Sequence, residues 1–332
     1  MRALVTGGTG FIGNRVVRTL LEQGVEVRAL VRPKSDRRHL ERLPVEFRVG
    51  TLNDPASLAD AVKGADLLFH VAADYRFWVP DPSRMHQTNV EGTVALLRAA
   101  WSAGVSRMVY TSSTVTVRSA PEEPGTETSF VKPPECRSAY QLTKVIAERE
   151  VRRLAREGAP VVIVNPSTPI GPGDRRPTPT GRLVVDFLNR RLPAFLDAAL
   201  NWVAVDDVAL GHWLAASRGR IGERYILGHA NLSIEQFLMM LAEVSGLPAP
   251  RVKIPYFAAY SAGAMGDVWS RISGRASAAS RDGVRMARVP MQFDCGKAIR
   301  ELGLPQTPIP TAIADAVAWF RAEGLAPPKE VR

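Results

Sequence analysis

The chain has 332 residues, 45% hydrophobic and 23% charged, the make-up of a folded protein with a substantial core and about two structural units. Its net charge is +10, yet no basic run reaches the roughly 5–8 residues of a nucleic-acid patch, so the excess reads as a solvated, arginine-rich surface. Two cysteines (Cys136 and Cys295) exclude a disulfide framework, five histidines show no metal-ligand spacing, and nothing approaches the ~18 continuous apolar residues of a membrane helix.

Residues 3–6 already read as a buried strand, so no secretory leader is expected and the cytoplasm is the expected compartment. In chain order, the pattern then predicts a helix over 11–23 and strands over 25–31 and 47–49. A helix over 55–63, a strand over 66–71, a long helix over 89–103 and a strand over 107–111 follow. Next come a long helix over 139–157 and a strand over 161–164. Strands alternating with helices of this length predict an α/β fold, a Rossmann-type doubly wound parallel sheet with right-handed crossovers. Over 166–181 proline and glycine concentrate, predicting a long loop. Shorter pieces follow: helix 181–190, strand 225–227, and helices 233–245 and 311–323. The division expected is a dinucleotide-binding domain over 1–165 and a smaller C-terminal substrate lobe over 166–332, with some segments returning to the first domain.

Between the first strand and first helix stands Thr6-Gly7-Gly8-Thr9-Gly10-Phe11-Ile12-Gly13, a G-x-x-G-x-x-G pattern. Gly7 permits a tight turn, Gly10 lets the backbone approach a pyrophosphate, and Gly13 lets the helix pack closely. The helix N-terminus then offers unpaired N–H groups and a positive dipole end. NAD sites place an acid at the end of the second strand to hold the ribose 2′-OH. Here that position is Val31, followed by Arg32 and Lys34. A guanidinium clasps a 2′-phosphate, so NADP(H) is the expected cofactor and NAD(H) the less favoured one.

Tyr140 and Lys144 form a Y-x-x-x-K pair on one helix face. A free phenol, with a pKa near ~10, is a poor acid–base group at neutral pH. A neighbouring ammonium is expected to lower it, letting Tyr140 exchange a proton with a carbonyl or carbinol oxygen. Lys144 is also expected to hold the nicotinamide ribose. The strand ending Thr111-Ser112-Ser113 places hydroxyls where parallel-sheet ligands bind; Ser113 is the expected donor to the substrate oxygen, with Ser112 competing.

Together these motifs resemble the extended short-chain dehydrogenase/reductases, of the NAD-dependent epimerase/dehydratase type, over nearly the whole chain as far as Glu301-Leu302-Gly303. Within that group the sequence resembles the dihydroflavonol-4-reductase-like branch, and most closely the hopanoid-associated sugar epimerases. The carrying stretches are His70-Val71-Ala72-Ala73-Asp74-Tyr75-Arg76, Asn89-Val90-Glu91-Gly92-Thr93, Asn165-Pro166-Ser167-Thr168-Pro169-Ile170-Gly171-Pro172 and Pro177-Thr178-Pro179-Thr180-Gly181-Arg182. The resemblance implies that Val71, Ala72 and Ala73 line the cofactor groove and that Asn89 braces the active-site strands. Val164, Asn165, Pro166 and Ser167 would edge the nicotinamide. Thr51 and Leu52 stand where the family usually has Asp against adenine, and the acidic, proline-rich stretch between Ser119 and Arg137 is unusual.

The loop after the fourth strand carries Asp74, Tyr75, Arg76, Phe77 and Trp78. It reads either as an aromatic wall with a cationic anchor for a substrate or as packing against the second lobe. The leading function is hydride transfer between NADPH and a small-molecule carbonyl substrate. The alternatives are epimerisation of a sugar-like substrate with transient cofactor reduction, and a non-catalytic NADP-sensing regulator. No nucleic-acid partner is expected. The long helices 89–103 and 139–157 could pair in a homodimer bundle, as in relatives.

Overall fold

The computed structural model describes residues 1–75, 81–120, 122–273, 284 and 290–328. The first half alternates as expected: β1 (Arg2–Thr6), α1 (Phe11–Glu22), β2 (Glu26–Val31), β3 (Val45–Val49), α2 (Pro55–Val62) and β4 (Leu67–His70). A short helix α3 (Pro82–His86) leads through a π-turn (Gln87–Glu91) into α4 (Gly92–Ser102). Then come β5 (Arg107–Thr111), α5 (Ala139–Arg156) and β6 (Val161–Pro166).

Seven strands form one sheet in the order β10-β6-β5-β4-β1-β2-β3, with β10 at Arg224–Leu227 and every pairing parallel. Alternate side chains feed opposite layers. Ala3, Val5, Val109, Val162 and Val164 pack with Val16, Val17 and Leu20 of α1. Leu4, Met108, Tyr110, Val161 and Ile163 pack with Leu58 of α2, Leu96 and Leu97 of α4, and Val151 of α5. Burial on both faces explains why these strands read as near-continuous apolar runs.

The long helix begins earlier than its apolar period suggests. Asp81 caps α3 by accepting from the Ser83 N–H at 3.0 Å, and Pro82 stands at the first helical position. The expected loop 166–181 is also partly ordered. It holds β7 (Thr168–Ile170) and the start of α6 (Pro179–Leu188), which Thr178 caps through Gly181 N–H at 3.2 Å.

Beyond these, the chain alternates between two bodies. The helix α7 (Val205–Arg218), absent from the predicted elements, returns to α1 and the main sheet. Its buried Ala209, Gly211 and Ala215 blur the 3.6-residue hydrophobic period, because small residues are what close packing on the sheet requires. The smaller body contains β8 (Ala194–Phe195), β9 (Ala199–Ala204), β11 (Ala230–Ser233), α8 (Ile234–Ser245) and β12 (Val252–Lys253). Strands β11-β9-β7 form a three-stranded sheet and β12-β8 a two-stranded one. Trp202 stacks on Phe237 in its core, at 3.7 Å between ring centroids. After α9 (Tyr256–Ser273), the helix Gly296–Leu302 joins the main body and Ile309–Ala322 packs in the smaller one.

Candidate active site

Strand order reverses about β1: β2 and β3 lie on one side, β4, β5, β6 and β10 on the other. The carboxyl ends of β1 and β4 therefore open a crevice, the general ligand position in doubly wound sheets. Gly7 turns there with φ +74°, and a Cβ on it would lie 2.7 Å from the Ala72 nitrogen. A Cβ on Gly13 would collide with the Gly7 carbonyl oxygen. Gly10 is the N-cap of α1, with no side chain capping the helix. Its first intrahelical bond is Asn14 N–H to Gly10 O at 2.9 Å, so the amides of Phe11, Ile12 and Gly13 precede the ladder. Such a cradle fits the pyrophosphate of a dinucleotide.

The crevice floor is tied together by hydroxyls and an imidazole. Thr6 Oγ1 accepts from the Ala72 N–H (3.3 Å) and lies 2.7 Å from His70 Nδ1. His70 Nε2 lies 2.9 Å from Thr93 Oγ1, which donates to Asn89 O at 2.7 Å. With the Thr93 proton so used, Nε2 must be the protonated ring nitrogen and Nδ1 the acceptor from Thr6. Burial, then the Lys144 charge, drives the His70 pKa down to about 3, so the ring stays neutral.

On the β2 side, Val31 is buried while Arg32 and Lys34 are exposed just beyond it. The Thr51 backbone is held by Ser57 Oγ, 3.2 Å from both its nitrogen and its oxygen. Leu52 packs against Gly92, where a Cβ would approach its own to 2.8 Å. Thr9, Val71, Ala72 and Ala73 are half-buried along the crevice.

On the other side of β4, Ser138 caps α5 by accepting from the Gln141 N–H (3.1 Å) and so sets the helix that carries Tyr140 and Lys144. Lys144 is buried, and its Nζ donates to Thr111 O (2.8 Å) and Tyr110 Oη (3.1 Å). Burial lowers its pKa to about 8, with Glu148 pulling upward. The Ser113 hydroxyl oxygen accepts from the Val115 N–H at 3.3 Å. The Ser113 side chain pulls the Tyr140 pKa down, but burial outweighs this and raises it. The phenol is thus stabilised in its protonated form, the reverse of the expected lowering, because desolvation acts on Tyr140 more strongly than any nearby cation.

The two serines face different partners. Ser112 Oγ is buried and donates to Glu148 at 2.5 Å, whereas Ser113 faces Tyr140. Thr111 Oγ1 turns away to His212 Nε2, at 2.9 Å. Of the stretch expected to edge a nicotinamide, Val164 lies in the core and Asn165 turns into the Glu148 cluster. Pro166 ends β6, and Ser167 follows with a buried hydroxyl that has no partner. Asn89 braces a loop and a helix, not strands: it accepts from the Asp74 N–H (2.7 Å), donates to Asp74 O (2.8 Å) and reaches Thr143 Oγ1 (3.1 Å). Asp74 and Tyr75 enter the site at that point; Arg76, Phe77 and Trp78 lie outside the described residues.

The sequence profile of the NAD dependent epimerase/dehydratase family matches residues 3–228. The chain belongs to this family. A protein of Synechocystis sp. with a provisional dihydroflavonol 4-reductase name is 44% identical, over 96% of this chain and 94% of its own length. Sterol demethylase protein B of Methylococcus capsulatus is 37% identical over 98% of this chain and 100% of its own. The crystal structure of DesIV, a dTDP-glucose 4,6-dehydratase from Streptomyces venezuelae with NAD and TYD bound, is 27% identical. It superposes with a TM-score of 0.80, covering 99% of this chain and 100% of that one. The protein is an NAD(P)-dependent enzyme of the extended short-chain dehydrogenase/reductase type, with the Rossmann-type sheet of that group.

Around the catalytic end the family fold carries residues the motifs did not announce. Arg224 of β10 clamps the stretch before α5 by donating to Glu127 O (2.6 Å) and Ser129 O (2.8 Å). Phe130 lies between the guanidiniums of Arg152 and Arg224, 4.2 and 3.9 Å from its ring centroid. A cavity of about 240 Å³ is lined by Thr114, Arg118, Ser119, Gln141 and Phe293. The buried hydroxyls of Thr114 and Ser119 have no partner. Among the described residues no helix is long and apolar enough to cross a membrane, and no group of His, Cys, Asp and Glu could hold a metal.

Over the glycine loop lies the turn 171–178, anchored by Asp174, which is 2% exposed. Its carboxylate accepts from the Thr178 N–H (2.8 Å) and hydroxyl (2.6 Å). Burial nonetheless raises its pKa to about 6, so the folded state holds this proton more tightly than the unfolded chain. The resulting stability is full below the unfolded value near ~3.9 and is lost as pH rises through about 6. Asp174→Asn, which stays neutral and still accepts from the Thr178 N–H, should therefore stabilise the protein at pH 8 by roughly 1–3 kcal/mol and hardly at pH 4. Calorimetric melts at the two pH values check this; a variant that melts lower than wild type at pH 8 contradicts it.

Proposed function

We propose that this enzyme is an NADP(H)-dependent reductase of the dihydroflavonol-4-reductase-like type, moving hydride to or from a carbonyl or carbinol carbon of a small molecule. The carrying observation is the buried phenol of Tyr140, kept protonated by desolvation and pulled the other way by Ser113, one helical turn from the buried Lys144. The uncapped N-terminus of α1 and the close approach of Gly7 and Gly13 fit a dinucleotide pyrophosphate, with Thr9 to Gly13 and Val71 to Ala73 along the groove. Thr51, Leu52 and Asn89 support that groove, and Val164 to Ser167 back the nicotinamide end. Arg32 and Lys34 stand where a ribose 2′-phosphate would lie.

When bound, the reduced nicotinamide supplies the hydride. Ser113 donates a hydrogen bond to the substrate oxygen. Tyr140 gives its proton to that oxygen as the carbon accepts hydride, so a carbonyl becomes an alcohol. The same phenolate takes the proton back in the reverse direction. Lys144 stabilises the phenolate so formed. The division of labour is a cofactor-binding domain over 1–165 and a lobe over 166–332 that covers the substrate, with α7, β10 and the helix Gly296–Leu302 returned to the first. Tyr75 and Asp74, beside Tyr140, are the candidate substrate contacts.

A nucleotide-sugar epimerase or dehydratase is the second reading, favoured by the likeness to DesIV. That chemistry recycles its cofactor in place and mostly retains NAD, which Arg32 disfavours. Titrating the purified protein with NADPH and NADH, after assaying it for copurified cofactor, separates the two. The reductase reading expects an empty protein that binds NADPH at least about tenfold more tightly. Stoichiometric NAD carried through purification would favour the epimerase.

A further inference from the structure

Tyr140, Lys144 and Glu148 recur at four-residue intervals on one face of α5, and the chemistry above uses only the first two. Glu148 is 3% exposed, and both carboxylate oxygens are engaged. Oε2 lies 2.5 Å from Ser112 Oγ, 2.8 Å from Thr116 Oγ1 and 2.8 Å from Asn165 Nδ2. Oε1 accepts from Arg224 Nη1 at 2.7 Å. These donors come from the turn after β5, from β6 and from β10. Two of them also lie against the carbonyl of the catalytic serine: Asn165 Nδ2 is 3.1 Å and Thr116 Oγ1 2.8 Å from Ser113 O, the single Thr116 proton serving either that carbonyl or Glu148. Burial would raise the Glu148 carboxyl, but Arg224 and the three hydrogen-bond donors overcome it and hold the group below its ordinary value. A buried ion pair of this kind adds little stability over an apolar pair of similar volume, so a positional role explains it better than a stabilising one.

We propose that Glu148 is a positioning residue of the active site: its carboxylate fixes the turn that aims Ser113 at Tyr140 and is the buried counter-charge of Lys144. The inference rests on the roles given above to Ser113, Tyr140 and Lys144. With its proton committed to Glu148, Ser112 is withdrawn from substrate and Ser113 is left to serve it. Lys144 is faced by Tyr110 of β5, by Glu148 of its own helix and by the neutral His70 of β4, while Arg224 of β10 is paired with Glu148. Among the described residues Glu148 is the carboxylate whose charge supports the ammonium against desolvation.

The test is an NMR titration of protein carrying ¹³C-labelled lysine, with the Lys144 signal assigned by its loss in Lys144→Arg. Lys144 should titrate near pH 8 in the wild type and roughly one pH unit lower in Glu148→Gln. Because that change strands the Arg224 guanidinium, the double variant E148Q/R224M is the companion; it removes both buried charges. Since loss of the Arg224 cation acts upward on Lys144, it should show a downward move of smaller size. Glu148→Asp keeps the charge but draws it back by one methylene. It should hold the Lys144 midpoint while turnover falls about tenfold or more, and NADPH affinity should stay within about twofold. A Lys144 midpoint unchanged in both the single and the double variant overturns the proposal, as does full turnover in Glu148→Asp. The titration needs neither cofactor nor substrate, so its failure is distinct from a failure of the reductase reading, which cofactor binding and Tyr140→Phe test separately.

Discussion

Tyr140→Phe is expected to lower turnover by about 10²–10⁴ while leaving NADPH affinity nearly unchanged. The substitution removes one oxygen, the atom that exchanges a proton with the substrate, and keeps the ring that fills the site. Lys144→Ala should damage both turnover and cofactor binding. Its ammonium is held by Thr111 O and Tyr110 Oη, and the proposed cofactor role has it support the ribose as well. Ser113→Ala should depress turnover by loss of its hydroxyl toward Tyr140. Ser112→Ala acts only through Glu148 and should cost less. The protonated lysine adds a pH signature: kcat/KM, which reports the free enzyme, should decline above about pH 8, well below the ordinary lysine range. Steady-state rates of NADPH oxidation against a panel of aldehydes and ketones check the series. A Tyr140→Phe enzyme with full activity on any substrate so found would refute the mechanism.

The features legible in the sequence are those whose signal is local. The glycine loop reads directly because Gly7 needs positive φ and Gly13 has no room for a Cβ, so each residue type carries its own constraint. The parallel strands read because both faces are buried. Tyr140 and Lys144 share a helix, and a four-residue interval brings them to one face. The choice between Ser112 and Ser113 stayed open because it depends on Glu148, Asn165 and Arg224, which lie 36 to 112 positions from Ser112 and meet only in the fold. The direction of the Tyr140 pKa was misread for the same reason: a motif announces the neighbouring cation but not the depth of burial that outweighs it. The spacing that could have drawn Glu148 into the site was present, since it continues the Tyr140–Lys144 row by one more turn. Arg224 gave no such sign, being one charged residue at the start of a short apolar strand. The ordered pieces within 166–181 were hidden by prolines, which mark a helix start as readily as a loop.

Arg32→Asp is expected to weaken NADPH binding by roughly 1.5–3 kcal/mol, about 10- to 150-fold, with NADH binding little changed. The two cofactors differ only in the ribose 2′ substituent, a phosphate carrying negative charge in one and a hydroxyl in the other. Arg32 is exposed immediately after the buried Val31, so its guanidinium is free to close on that phosphate. An aspartate there both removes the donor and repels the anion, whereas a 2′-OH can donate to it. Lys34 remains in the variant as a second, more flexible cation, so Lys34→Ala alone should cost less. Because the contact is solvent-exposed, wild-type NADPH affinity should fall with added salt more steeply than NADH affinity, and Arg32→Asp should flatten that difference. Calorimetric titrations with both cofactors at two ionic strengths measure all of these quantities. Equal losses for NADPH and NADH would place the lesion in the loop itself, and the phosphate clamp would be abandoned.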